Sequence, residues 1–197
     1  VGSFALTSAT TGGNNTAVGH QSQANTIGGT DNTSVGLNSL LANTTGIANT
    51  AVGQGPMTSN TSGRDNVAMG MNALYPSGNA DMYNVAVGLG AGQAVTTATN
   101  NTFIGSLAGS ATNTGGANTF IGMQAGDANT TGTTNIVIGT GVDVSAVDNN
   151  YEIVIATSGV GKGTSTGYIN PQGGGVFQGN NGTAWSQTSD RRVKKGI

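Results

Sequence analysis

A five-residue pattern, Asn followed by alternating larger and smaller apolar positions and closed by Gly, recurs along the chain, as in Asn15-Thr16-Ala17-Val18-Gly19. It begins at Asn15, Asn32, Asn49, Asn66, Asn84, Asn101, Asn118 and Asn135, so that successive starts differ by 17, 17, 17, 18, 17, 17 and 17. A degenerate ninth copy, Glu152-Ile153-Val154-Ile155-Ala156, lies one further period beyond Asn135, and Gly2 stands one period before Gly19. Within each anchor the second and fourth positions, such as Thr16/Val18, Thr50/Val52, Val85/Val87 and Ile136/Ile138, share one face of an extended strand. The third position points the other way and is Ala17, Ala51 and Ala86, then Phe103 and Phe120. Both faces are apolar or small, so both call for cover.

The remainder of each unit is punctuated as regularly. A small residue follows most anchor glycines by three positions (Ala5, Ser22, Ser39, Ala73, Ala91, Ala108, Ala125), and Leu or Gly often comes next. A polar turn then leads back through Gly12, Gly29, Gly46, Gly63, Gly115 and Gly132. Each unit therefore predicts a short strand, a tight turn at Gly, a second short strand and a longer polar turn. A helical hairpin does not fit so short a unit, and each Gly costs a helix roughly 0.5–1 kcal/mol relative to Ala. The expected fold is all-β: a parallel β-helix or β-roll with one coil per repeat over residues 1–156. Nine coils stacked at ~4.8 Å give a rod roughly 43 Å long. Asn and Thr repeated at one coil position would form ladders of side-chain hydrogen bonds. The one longer unit should bulge near Tyr75-Pro76-Ser77-Gly78. A coil this small buries few side chains inside itself, so the second apolar face points to self-association.

Composition narrows the picture. Charged residues make up 7% of the chain, against roughly 25% in ordinary globular proteins. With a net charge of -2 and three prolines, the chain lacks the usual signature of disorder, which leaves a backbone-stacked repeat. Four of the six basic residues (Arg191, Arg192, Lys194, Lys195) fall in the last seven positions, so the body has no basic face for nucleic acid. Nothing approaches a membrane span of ~18 apolar residues. The absence of cysteine removes disulfides and thiolate metal sites. No cofactor or metal is expected.

Candidate chemistry is sparse. Ala156-Thr157-Ser158-Gly159-Val160-Gly161-Lys162-Gly163 nearly spells a phosphate-binding loop, but Gly163 stands where a hydroxyl should hold magnesium, and no helix can follow. The expectation there is a turn leaving the last coil. His20, the single histidine, reads as an exposed turn residue. The carboxylates Asp31, Asp65, Asp81, Asp127, Asp143, Asp148 and Glu152 are dispersed across repeats and read as turn residues rather than a glycosidase pair. Residues 157–188 form a Gly-rich β neck in which Tyr168, Phe177 and Trp185 serve as an apolar plug in preference to a sugar-stacking site.

The eight regularly spaced anchors resemble the repeats of trimeric β-roll shafts in bacteriophage tail fibres, and more loosely the heads of trimeric autotransporter adhesins. The terminal Ser189-Asp190-Arg191-Arg192-Val193-Lys194-Lys195-Gly196-Ile197 resembles the junction at which tail fibres and tailspikes meet an intramolecular chaperone domain. The matching positions are Ser189, Asp190, Arg192, Lys194 and Ile197, while Gly196 replaces a frequent Asn. The resemblance implies a homotrimer, a chaperone following Ile197, and self-cleavage of the precursor. Ser189 would be the nucleophile and Lys194 the base, with Asp190 flanking the cut. The bond broken is Ser189–Asp190 by the resemblance, or Thr188–Ser189 if Ser189 attacks the preceding carbonyl.

The expected function is therefore a structural fibre segment on a virion, made in the bacterial cytoplasm and serving host attachment. Its expected partners are its own copies, other fibre or tail proteins, and a host surface glycan or protein receptor. Apart from single-turnover self-cleavage in the precursor, no enzyme activity is expected. The alternatives are a trimeric bacterial adhesin head and an ice-binding solenoid. The second is weakened because Val67, Val85 and Ile136 interrupt the column of Thr16, Thr33, Thr50, Thr102 and Thr119.

Overall fold

The computed structural model describes residues 2–75, 83–170, 176–178 and 186–187. Eight three-residue strands coincide with the anchors: β1 (Thr16–Val18), β2 (Thr33–Val35), β3 (Thr50–Val52), β4 (Val67–Met69), β5 (Val85–Val87), β6 (Thr102–Ile104), β7 (Thr119–Ile121) and β8 (Ile136–Ile138). The later strands are β9 (Val142–Asp143), β10 (Ile153–Ala156), β11 (Gly159–Val160), β12 (Gly167–Asn170), β13 (Val176–Gln178) and β14 (Ser186–Gln187). Each anchor strand pairs in parallel with the next at equivalent positions, from Thr16 opposite Thr33 to Ile136 opposite Ile153. The chain is a parallel β-solenoid with one coil per repeat, as the spacing predicts. Register survives the one longer unit, since Val67 pairs with Val85. Of the residues expected to bulge, Tyr75 is exposed and 76–78 lie outside those described.

Two features differ from the sequence expectation. The sheet does not end where the period does: β12 stacks in parallel on β10, with Ile153 opposite Gly167, where an unbroken period would bring Asn170. It then pairs antiparallel with β13, and β13 with β14. The second element of most coils is also not a strand. Its backbone takes positive φ at every other residue, as at Gln21 and Gln23 (55° and 50°) or Asn38 and Leu40 (56° and 52°). Such an alternation turns the chain continuously and cannot be extended. Among the described residues, the eighth and ninth coils do form true second strands, β9 and β11, which pair with each other.

The asparagines that open the anchors form the expected column, half-buried at Asn15 and buried from Asn32 to Asn135. The backbone N–H of Asn32 donates to Asn15 Oδ1 at 3.0 Å, and its Nδ2 donates both to that oxygen at 3.1 Å and to the Gly46 carbonyl at 2.8 Å. The same bonds recur at Asn49 and Asn101. One amide thus serves the next coil twice: Asn32 Oδ1 accepts the Asn49 N–H at its strand start, and Asn32 Nδ2 donates to the Gly46 carbonyl in the turn that returns to it. Leaving such buried groups unpaired would cost about 1–3 kcal/mol each, which is why a shorter or apolar residue does not serve here.

The core runs along the rod axis and is filled by the third anchor position. Ala51, Ala68, Ala86, Phe103, Phe120, Val137 and Val154 are fully buried. Phe103 and Phe120 lie inside adjacent coils with ring centroids 5.7 Å apart. The facing position, six residues on, compensates in size. Ser34, Ala51 and Ala68 face Leu40, Met57 and Leu74, whereas Phe103 and Phe120 face Gly109 and Gly126. A Cβ on Gly109 would lie 2.3 Å from the Phe103 ring, and one on Gly126 would lie 2.5 Å from Phe120. The two positions share one volume.

Candidate functional site

Turning the third position inward forces the second and fourth outward. The fourth position is 36–43% exposed at Val18, Val35, Met69, Ile104, Ile121, Ile138 and Ile155 and half-buried at Val52 and Val87. Beside it, one residue past the anchor glycine, Leu37, Met71, Leu89 and Met123 add apolar side chains exposed by 41–50%, interspersed with His20, Gln54, Ser106 and Thr140. The second-position column adds Ile136 and Ile153. Parallel pairing in constant register lines these side chains up along the sheet. None of these side chains carries a charge. Their summed exposed area is on the order of several hundred Å², as large as the biggest apolar patch on a typical monomer. At the C-terminal end the face deepens into a groove lined by Ile138, Gly139, Ile155, Ala156, Thr157, Ile169 and Asn170.

This face is the candidate functional site. Sequence reading located the residues but left open which of two apolar faces each coil keeps for itself. Phe103 and Phe120 answer that question, because both rings are fully buried within their own chain.

The other candidates fall elsewhere. Ser189, Asp190 and Lys194 lie outside the described residues, as does Trp185, and the side chain of Phe177 is likewise not described. Tyr168 pairs with Val154 in register and continues the inward column, where it is buried. The Lys162 ammonium sits 4.7 Å from its ring centroid. His20 is exposed and meets the edge of Phe4 at 5.7 Å between centroids. Asp31 accepts from Asn14 Nδ2 at 2.9 Å, an exposed turn contact. No three His, Cys, Asp or Glu side chains among the described residues are grouped to hold a metal ion. Among the described residues, no helix is long and apolar enough to cross a membrane, the structure there being strands and turns.

One carboxyl pair does form. The Asp143 carboxyl accepts from the Ala128 N–H at 3.0 Å, which brings it beside Asp127 on the coil below. Burial and a hydrogen bond with the Asp127 carboxyl push Asp143 from the ordinary 3.8 up to about 7, against the lowering effect of the Ala128 N–H. Two carboxyls in direct contact are too close for a glycosidase pair, which needs about 5 Å or more between them. Their consequence is a pH dependence. The folded state retains a proton that the unfolded state releases between pH 3.8 and about 7, so stability falls as pH rises through that window. Asp143 is only half-buried, and solvent screening reduces the effect to roughly 1 kcal/mol. Urea unfolding at pH 5 and pH 8 should show the parent losing stability relative to Asp143→Asn as pH rises; parallel profiles would contradict the assignment.

No family model, curated protein or solved structure matches the chain.

Proposed function

We propose that this chain is a structural segment of a bacteriophage tail-fibre shaft, assembled as a homotrimer through the outer apolar face of its solenoid. The observation that carries the reading is the continuous charge-free column from Val18 to Ile155 on a rigid, regularly stacked rod. Such a face is unfavourable in water and well matched to copies of itself, because the same ~4.8 Å rise repeats along each copy. A rod of this kind transmits load and sets distance, which are the tasks of a shaft in host attachment. The end resemblance adds self-cleavage at Ser189, with Lys194 as base, in a precursor carrying the chaperone. A hydroxyl needs a neutral amine beside it to act as a nucleophile, and burial in the assembled trimer would lower the lysine pKa accordingly. Cutting would then follow correct assembly. Receptor and tail partners would bind beyond this face, which the copies cover.

The test is the mass in solution of the unaltered chain and of a triple variant, Ile104→Lys, Ile121→Lys and Ile138→Lys. Light scattering should give three times 19.3 kDa for the parent and a smaller species for the variant, since desolvating unpaired charge disfavours association by several kcal/mol. A folded, soluble monomer of the unaltered chain would end the proposal.

A further inference from the structure

The glycine-rich run 156–163 has the composition of a loop that wraps an anion, and the structure supplies the anion from within the chain: the carboxylate of Glu152. Glu152 occupies the ninth position of the asparagine column and is fully buried. Its backbone N–H donates to Asn135 Oδ1 at 2.9 Å, as each asparagine does to its predecessor. Its side chain reverses the polarity of the column. Asn15, Asn32, Asn49, Asn84, Asn101, Asn118 and Asn135 each donate from Nδ2 to a carbonyl 14 residues on, at 2.7–3.0 Å. An ionised carboxylate has no hydrogen to give.

It accepts instead. Oε2 takes the Ser145 N–H at 2.9 Å and the Ser145 hydroxyl at 3.2 Å. Oε1 takes the Gly163 N–H at 2.7 Å and, more weakly, the Thr166 hydroxyl at 3.4 Å. The turn comes so near that a Cβ on Gly161 would lie 1.9 Å from Oε1. The Thr166 carbonyl accepts the Ile153 N–H at 2.8 Å, the same ladder bond that Glu152 accepts from Ile136 at 2.8 Å, so the strand ladder itself continues past the turn. The step to the next strand also shortens here, from Ile136 opposite Ile153 to Ile153 opposite Gly167. Residue identity, bond polarity and coil length all change at one position.

We propose that Glu152 is the terminator of the asparagine column: its carboxylate draws the turn 161–166 inward, ends the regular winding and latches the last coil shut. An open parallel edge offers unpaired N–H and C=O groups to any compatible strand, and the shortened turn brings β12 onto the edge of β10 in place of a further full-length coil. A buried acceptor of this kind is strongly held, because removing its charge leaves oriented donors without a partner. The latch follows from the contacts alone and does not depend on the fibre reading.

The experiment is amide hydrogen exchange on the full chain and on Glu152→Gln, which keeps the length of the side chain and removes its charge. Protection within 157–166 should fall about tenfold or more, while that of residues 84–138 stays at the parent level. Unchanged protection in 157–166, or an equal loss along every coil, would overturn the terminator role. Gly161→Ala attacks the same contact from the turn side and decides the matter if Glu152→Gln does not fold. It should give the same localised loss, and parent-like protection there would refute the latch.

Discussion

Gly105→Ala should destabilise the chain by roughly 4 kcal/mol or more, enough to prevent folding of a marginally stable domain. Gly105 has φ +133°, and an added Cβ would lie 2.3 Å from the Gly122 carbonyl oxygen and 2.5 Å from its carbon. Both contacts are to backbone, so no side chain can rotate away. Nor can the coil shift as a whole, because the Gly105 N–H is held by the Val87 carbonyl at 2.8 Å and the Gly122 N–H by Ile104 at 2.8 Å. The conformation is itself costly for an L side chain, by about 1–3 kcal/mol. The glycine thus answers two demands, a forbidden φ and a close approach between coils. Gly13→Ala is the matched control: its φ is not in the positive region and nothing lies within 4 Å of the added Cβ. It should be neutral or stabilising by less than about 1 kcal/mol, through reduced freedom of the unfolded chain. Soluble yield and urea midpoints of the two variants give the comparison. Equal effects would mean that coil contact is not what selects glycine at the anchor.

That contrast indicates which parts of the fold were legible in the sequence. Every anchor glycine faces the same backbone approach, so geometry repeated at each coil wrote the same letter into each repeat, and the period could be read directly. The buried asparagines are legible for the same reason, since one amide satisfies two coils at every level. The second element of the coil was not legible. Its left-handed positions hold Gln23, Leu40, Met57 and Leu74, residues that give no local signal of positive φ. They adopt it because their side chains must reach the core, where all four are fully buried. Tertiary packing sets the backbone there, and a reading by local propensity yields a strand instead. Glu152 was misleading in a different way. By spacing it is an imperfect Asn, and only its four accepted hydrogen bonds show why an acceptor stands there. The outward face was visible as a pattern, but its direction depended on the Phe103 ring lying inside.

The size compensation across the core yields the second large expected effect. Phe103→Ala should cost about 3–5 kcal/mol, as emptying a buried aromatic site usually does. Gly109→Leu alone should be at least as damaging, because the new Cβ would begin 2.3 Å from the Phe103 ring. Combined, the two changes recreate the arrangement that the chain already uses at Ala68 and Leu74. Leu74 is fully buried at φ +50°, close to the +60° of Gly109, so the backbone there already accommodates leucine. The double variant should therefore be more stable than the sum of its parts predicts, with a favourable coupling of roughly 1.5–3 kcal/mol. Recovery will be incomplete. Phe103 also fills the space beside Gly92 on the coil below, where a Cβ would lie 2.7 Å from its ring, and leucine at 109 does not reach both. Urea unfolding of the four chains at one protein concentration measures the coupling and holds any association effect fixed. Strict additivity would show that the two positions do not share a volume, and that the inverse sizes along the repeats arise without contact between them.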